Sequence, residues 1–159
     1  MNSAIPLRKH IIISILFLVF YPLPGWGQEA QSEEARIRSE LEAHYQSFEG
    51  PPAEQTWEKW QSYFLRSPNI GNLYGSNMRV GWEAYEEASL TYFDRPQEER
   101  PAARFEELNI HVIDDRTAWV TGVYVRIWTG RTQRMRFYDV LISTPEGWRT
   151  VFSYVERGV

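Results

Sequence analysis

The chain has 159 residues, 43% of them hydrophobic and 15% aromatic, enough apolar area for one packed core. It holds no cysteine, which excludes a disulfide framework, a lipoprotein anchor and a thiolate metal site. A formal net charge of −4 makes nucleic acid an unsuitable partner.

Arg8 and Lys9 precede a ten-residue apolar run, residues 11–20, followed by Pro22, Pro24 and small residues, the pattern of a secretory leader. The run is half of the roughly 20 residues that cross a bilayer, so a cleaved leader is expected rather than an uncleaved anchor. Gly25 and Gly27 suit the small-residue requirement before a cut. Residues 1–27 are therefore read as the leader, 28–32 as a mobile N-terminus and 33–157 as one domain. The exported chain, periplasmic or extracellular, would start at Gln28 with no stable membrane anchor. It would carry 15 basic and 21 acidic side chains. The acids concentrate in residues 28–99, with 14 against 6 basic; residues 100–159 hold 7 against 9.

Ser32, followed by Glu33 and Glu34, predicts the start of a first helix. Ile37, Leu41, Tyr45 and Phe48 fall on one stripe of it, with His44 at the margin, and Gly50-Pro51-Pro52 ends it. A second helix is predicted from about residue 53, with Trp57, Trp60 and Phe64 on one face, stopping at Ser67-Pro68. Two short strands, residues 70–74 and 78–80, flank the turn residues Gly75-Ser76-Asn77 and are expected to pair. From Gly81 a third helix presents Trp82, Tyr85, Ser89 and Tyr92 and ends near Asp94-Arg95-Pro96. Residues 97–104 read as a charged loop.

Residues 105–156 read as four strands joined by three turns. Asp114-Asp115-Arg116 sets Val112 opposite Ala118, Ile110 opposite Val120 and Leu108 opposite Gly122. Gly130-Arg131-Thr132, taken as a three-residue loop, sets Tyr124 opposite Tyr138 and Arg126 opposite Arg136. Thr144-Pro145-Glu146-Gly147 sets Ile142 opposite Thr150, Tyr138 opposite Tyr154 and Arg136 opposite Glu156. All three agree that even-numbered positions share one face. Helices followed by a meander predict an α+β fold, a sheet curved around helices.

This order, with the Gly81-Trp82-Glu83-Ala84 opening of the third helix, Asp115-Arg116-Thr117-Ala118-Trp119-Val120 at a strand start and Gly147-Trp148-Arg149 before the last strand, resembles the SnoaL-like branch of the nuclear-transport-factor-2-like superfamily over roughly residues 33 to 156. The resemblance implies a cone-shaped, mostly antiparallel sheet wrapped around three N-terminal helices, with a central pocket. Relatives often carry an arginine twelve residues before that tryptophan, and Arg136 stands there. Many also carry histidines on the last strand, where this chain has Phe152 and Tyr154. The superfamily includes ketosteroid isomerase, polyketide cyclases and scytalone dehydratase beside members that only bind or dimerise, so the resemblance sets no reaction.

Along the even face, aliphatic residues (Leu108, Ile110, Val112, Ala118, Val120, Val140, Ile142) with Thr150 give way to Glu106, Tyr124, Arg126, Arg136, Tyr138, Tyr154 and Glu156, the gradient of a small-molecule pocket wall. Tyr124, Arg126, Arg136, Tyr138, Phe152 and Tyr154 are the expected ligand-binding residues of the sheet, with Tyr45, Trp60 and Tyr92 from the helices. Arg126 opposite Arg136 needs a negative group between them. That group is either Glu106 and Glu156, in a structural network, or an anionic ligand. Acid–base candidates are few: His44 at a helix margin, with His111 and Asp139 on the odd face and Asp94 ending a helix, while tyrosines 45, 63, 92, 124 and 138 could donate hydrogen bonds to an enolate.

No metal-ligand spacing, phosphate-cradling glycine loop or nucleophile elbow occurs, so no cofactor is expected. The odd face carries Trp119, Val123, Val125, Ile127, Phe137, Leu141, Val151 and Val155, which predicts a homodimer through the outer face of the sheet. The functional expectation is an exported domain binding a small, anionic or aromatic molecule. Its alternatives are a cofactor-free isomerase, cyclase or dehydratase, and an assembly module whose interior is filled by Trp57, Trp60, Trp82, Trp148 and Phe152.

Overall fold

The computed structural model describes residues 26–156 and 158, in which α1 (Trp26–Ser47), α2 (Trp57–Trp60), β1 (Gly71–Tyr74), β2 (Asn77–Val80), α3 (Trp82–Phe93), β3 (Ala102–Val112), β4 (Thr117–Trp128), β5 (Arg131–Thr144) and β6 (Gly147–Val155) follow one another. The strands form one sheet in the order β2-β1-β6-β5-β4-β3, with every pairing antiparallel except β1 with β6. The chain is α+β, a curved, mostly antiparallel sheet wrapped around helices, as its pattern predicts. The leader expected over residues 1–27 lies outside the described residues, apart from Trp26 and Gly27, which open α1.

The helix thus starts at Trp26 and not at Ser32, because residues 28–31 (Gln, Glu, Ala, Gln) are good helix formers with no stop among them. Its stripe of Ile37, Leu41, Tyr45 and Phe48 is buried as the spacing requires. Each such side chain contributes about 1.5–3 kcal/mol on leaving water. The second helix is a single turn, Trp57–Trp60, capped by Thr56, whose Oγ1 accepts from Lys59 N at 3.2 Å. It stops there because the chain instead joins the sheet: Thr150 N donates to Tyr63 O at 2.8 Å and Leu65 N to Thr150 O at 2.9 Å. The short strands pair as a hairpin.

Register decides which side chains face the helices. β3 and β4 pair as predicted at one end, Val112 with Ala118 and Ile110 with Val120. A bulge between Glu106 and Asn109, with Glu107 at φ 55°, then switches the inward parity of β3 to Phe105 and Ala103. Gly122 permits this, since a Cβ there would lie 2.9 Å from the Glu106 carbonyl oxygen and 2.8 Å from the Phe137 ring. Leu108 consequently has no partner in Gly122.

The β4–β5 turn corrects the predicted register. It is a two-residue loop, Thr129-Gly130, with Gly130 at φ 75°, and it pairs Trp128 with Arg131. Arg126 therefore faces Gln133, Tyr124 faces Met135 and Thr121 faces Tyr138. The odd residues Met135, Phe137, Asp139 and Leu141 of β5 point inward and are buried. The alternative would bury Arg134 and Arg136 in place of Met135 and Phe137, and an unpaired guanidinium is far costlier to bury.

In β6 the predicted partner of Thr150 is shifted by one, to Leu141, and an irregularity at Val151 restores Tyr138 opposite Tyr154. Trp148, Thr150, Ser153 and Val155 consequently face inward, Phe152 and Tyr154 outward. Phe137, Leu141 and Val155, expected on the outer face, belong to the core or pack against it. The outer face instead gathers Val80, Phe152, Val140, Trp119 and His111 in one row and Met78, Leu73, Tyr154 and Tyr138 in the next.

Candidate functional site

Between the inner face of the sheet and the helices lies a cavity of about 320 Å³, within the usual size for small-molecule sites. The aromatic residues expected to fill the interior leave it open: Trp60 lines it, Trp57 and Trp82 pack on each other at 5.8 Å, Trp148 lies in the core and Phe152 lies on the outer face. Its aromatic walls include Trp60, Tyr63, Phe105, Tyr124 and Phe137. Phe105 stacks on Tyr124 at 5.1 Å and meets Phe137 edge-on at 5.4 Å.

Asp139 forms the floor. The β5 register turns it inward, opposite Val120 and beside Ser153, and only 2% of it is exposed. Its Oδ2 accepts from the Tyr45 hydroxyl at 2.9 Å and the Tyr63 hydroxyl at 2.5 Å, donors brought by α1 and by the segment that follows α2. Its Oδ1 is buried and has no hydrogen-bond partner. Burial pushes the Asp139 carboxyl up to about 6, against the hydroxyls of Tyr63, Ser153 and Tyr45, which favour its charged form. Such a group can hold or release a proton near neutral pH. Burial, reinforced by the carboxylate, drives both tyrosine hydroxyls well above their ordinary value, so they remain donors.

Arg126 marks the mouth. Its guanidinium lies over the rings of Tyr124 at 5.3 Å, Tyr92 at 5.4 Å and Tyr74 at 5.6 Å, and it donates to the Tyr74 hydroxyl at 3.4 Å. Burial works against its charge, but Tyr124 and Tyr74 outweigh that and hold its pKa above the ordinary arginine value. Arg79 and Arg95 also line the cavity, Arg79 donating to Asn72 Oδ1 at 3.1 Å. None of these three arginines has a carboxylate within ion-pair distance among the described residues.

Of the nine residues expected to bind a ligand, Trp60, Tyr92, Tyr124 and Arg126 line the cavity. Tyr45 is fully buried behind the wall, where it serves Asp139. Arg136, Tyr138, Phe152 and Tyr154 project from the outer face, so the expected clasp of Arg126 with Arg136 does not form. Glu106 likewise turns outward, where Arg104 and Arg134 pair with it. Asp139, Arg79 and Arg95 are pocket groups that the sequence pattern does not reveal: a three-residue β4–β5 loop puts Asp139 on the outer face, and the two arginines carry no pattern of their own.

His44 packs beneath the same floor, its ring stacked on Tyr63 at 5.5 Å, with Nε2 buried and unpartnered. Burial, with Arg149 nearby, lowers it to about 4, so it is neutral at pH 7. His111 stacks on Trp119 at 4.3 Å on the outer face, away from the cavity. Asp94 caps the end of α3. No cluster of metal-ligating side chains occurs among the described residues.

No family model matches the sequence, and no curated protein matches it. Solved structures do match. An NTF-2-like protein of unknown function from Shewanella oneidensis MR-1 superposes with TM-score 0.62 at 12% identity, covering 80% of this chain and 98% of that one. A cystatin-like fold protein from Burkholderia xenovorans LB400 gives 0.61 at 15% identity, covering 78% and 93%. A protein named as a candidate scytalone dehydratase, from Novosphingobium aromaticivorans DSM 12444, gives 0.54 at 10% identity, covering 84% and 89%. At these identities the likeness is one of architecture: the chain has the cystatin-like cone fold of NTF2-like proteins.

Proposed function

We propose that the protein binds a small anionic molecule in the cavity, its charged group at the mouth and its body between the aromatic walls. One observation carries this reading. In a chain of net charge −4, Arg126, Arg79 and Arg95 converge on one cavity, and none of them has a carboxylate within ion-pair distance among the described residues. A cation held against ring faces without an anion is poised for one.

Calorimetric titration with matched aliphatic and aromatic carboxylates and amines tests the reading. Acids should bind and amines should not. Arg126→Gln should weaken acid binding by about tenfold or more, as loss of a charged hydrogen bond does, while Arg136→Gln on the outer face should leave it unchanged. Equal binding of amines, or indifference to Arg126→Gln, overturns the reading. A second reading, cofactor-free isomerisation, cyclisation or dehydration, draws on the Asp139 carboxyl near 6 between two tyrosine hydroxyls. It is tested in the same cell: a bound acid recovered chemically unchanged after prolonged incubation speaks against it.

The outer face supports a homodimer through the sheet. Trp119, Tyr138 and Phe152 are 40%, 38% and 37% exposed there, beside Met78 and Val80, and adjoining exposed apolar side chains of this kind mark association surfaces. Sedimentation should find two chains per particle and, for Phe152→Glu, one. A wild-type monomer at micromolar concentration sinks this proposal.

A further inference from the structure

The anion-binding reading engages only the mouth. The opposite end of the cavity presents a second unmet requirement, and the two together define a ligand more closely than either does. Asp139 lines the cavity and is almost completely buried, yet only one of its carboxyl oxygens is served. Tyr45 and Tyr63 both donate to Oδ2, and Oδ1 has no hydrogen-bond partner; the Ser153 hydroxyl beside the carboxyl favours its charged form without satisfying that oxygen. A buried acceptor without a donor is costly and calls for one from outside the protein.

Arg126 and Asp139 stand at opposite ends of one wall. Arg126 pairs across β4 and β5 with Gln133, and Asp139 with Val120, so six residues of β4 separate them, about 20 Å at the usual strand rise. Phe137 and Tyr124, both on the inner face, occupy the rows between, with Phe105 beside them. A cation at one end, an orphaned acceptor at the other and ring faces between form a bipolar slot.

We infer that the ligand is a flat aromatic acid with a hydrogen-bond donor, a phenolic hydroxyl or an aryl amino group, at the end remote from its anionic group: the anion at Arg126, the rings along Phe105, Tyr124 and Phe137, the donor on Asp139 Oδ1. The inference rests on the anion-binding reading and adds the polarity of the far end. An acceptor at that end would face the lone pairs of Oδ1.

The test is a polarity exchange in full-length protein at pH 8, where the carboxyl is ionised. Calorimetry compares biphenyl-4-carboxylate with its 4′-amino and 4′-cyano derivatives, and 3-phenylpropanoate with its 4-amino and 4-cyano derivatives, which offer two lengths. In one length series the amino compound should bind about tenfold or more tighter than its parent and its cyano analogue, the effect of one charged hydrogen bond. In Asp139→Asn the amide oxygen can take the two tyrosine hydroxyls and leave its N–H₂ toward the cavity, so the order should reverse, with the cyano compound ahead. Circular dichroism checks that the variant is folded; should it not fold, the wild-type ranking decides alone. If parent, amino and cyano acids bind wild-type protein equally and all lose affinity in Arg126→Gln, the donor is disproved while the anion site stands. An amino preference that persists in folded Asp139→Asn also disproves it. If none of the acids binds, the anion reading itself has failed.

Discussion

The floor and the mouth of the cavity each bury a charged group, and they accommodate it in opposite ways. At the floor, Asp139 receives two hydroxyl donors and burial raises its carboxyl to about 6, so that it can shed its charge under mildly acid conditions. At the mouth, Arg126 has ring faces and the hydroxyls of Tyr74 and Tyr124, and a guanidinium has no neutral form to retreat to. A floor built from donors committed to one carboxyl is part of what holds the helices to the sheet. A mouth built from faces holds its cation without depending on it.

Truncating each charge is the most forceful way to break that comparison. Asp139→Leu leaves the Tyr45 and Tyr63 hydroxyls buried without their acceptor, at about 1–3 kcal/mol each, so roughly 2–6 kcal/mol should be lost in urea unfolding. Arg126→Leu removes a cation that pairs with no carboxylate, and its unfolding free energy should stay within about 1 kcal/mol of wild type. Equal losses would mean that the mouth is as structural as the floor and that Arg126 serves the fold rather than a ligand.

This division was only half legible in the sequence. The helix stripe Ile37, Leu41, Tyr45, Phe48 and the Val112–Ala118 hairpin follow from period and turn residues alone, because each has one apolar and one polar side. β5 does not. Met135, Phe137 and Leu141 on one face compete with Tyr138, Val140 and Ile142 on the other, so hydrophobic alternation cannot choose, and the choice falls to whether Gly130 closes a two- or a three-residue loop. That one-residue difference carries Asp139 to the floor and Arg136 to the outer face. The bulges at Glu107 and Val151 are invisible for a related reason: each exchanges one local parity for another, and only contact with a neighbouring strand settles where.

The finest test of the comparison uses pH, because the mouth guanidinium does not titrate in the accessible range and any response there belongs to the floor. Two floor groups respond, with opposite signs. Asp139 has a folded-state pKa raised from 3.8 to about 6, so its contribution to stability is complete below 3.8 and is lost as pH rises through 6. His44 has one lowered from 6.5 to about 4, so its contribution is complete above 6.5 and is lost as pH falls through 4. Each spans roughly 3 kcal/mol at 1.36 kcal/mol per unit, and over the interval from about 4 to 6 they oppose each other. Wild-type urea midpoints should therefore change little between pH 6 and 4. His44→Phe should become more stable as the medium is acidified over that interval, and Asp139→Asn less stable. Both groups touch Tyr63, one through its ring face at 5.5 Å and one through its hydroxyl at 2.5 Å. The double variant should be flat again, and a sum of the wild-type and double-variant slopes that differs from the sum of the two single-variant slopes would measure coupling carried through that one tyrosine. Variants that follow the wild-type curve would show that neither burial perturbs titration as the floor geometry requires.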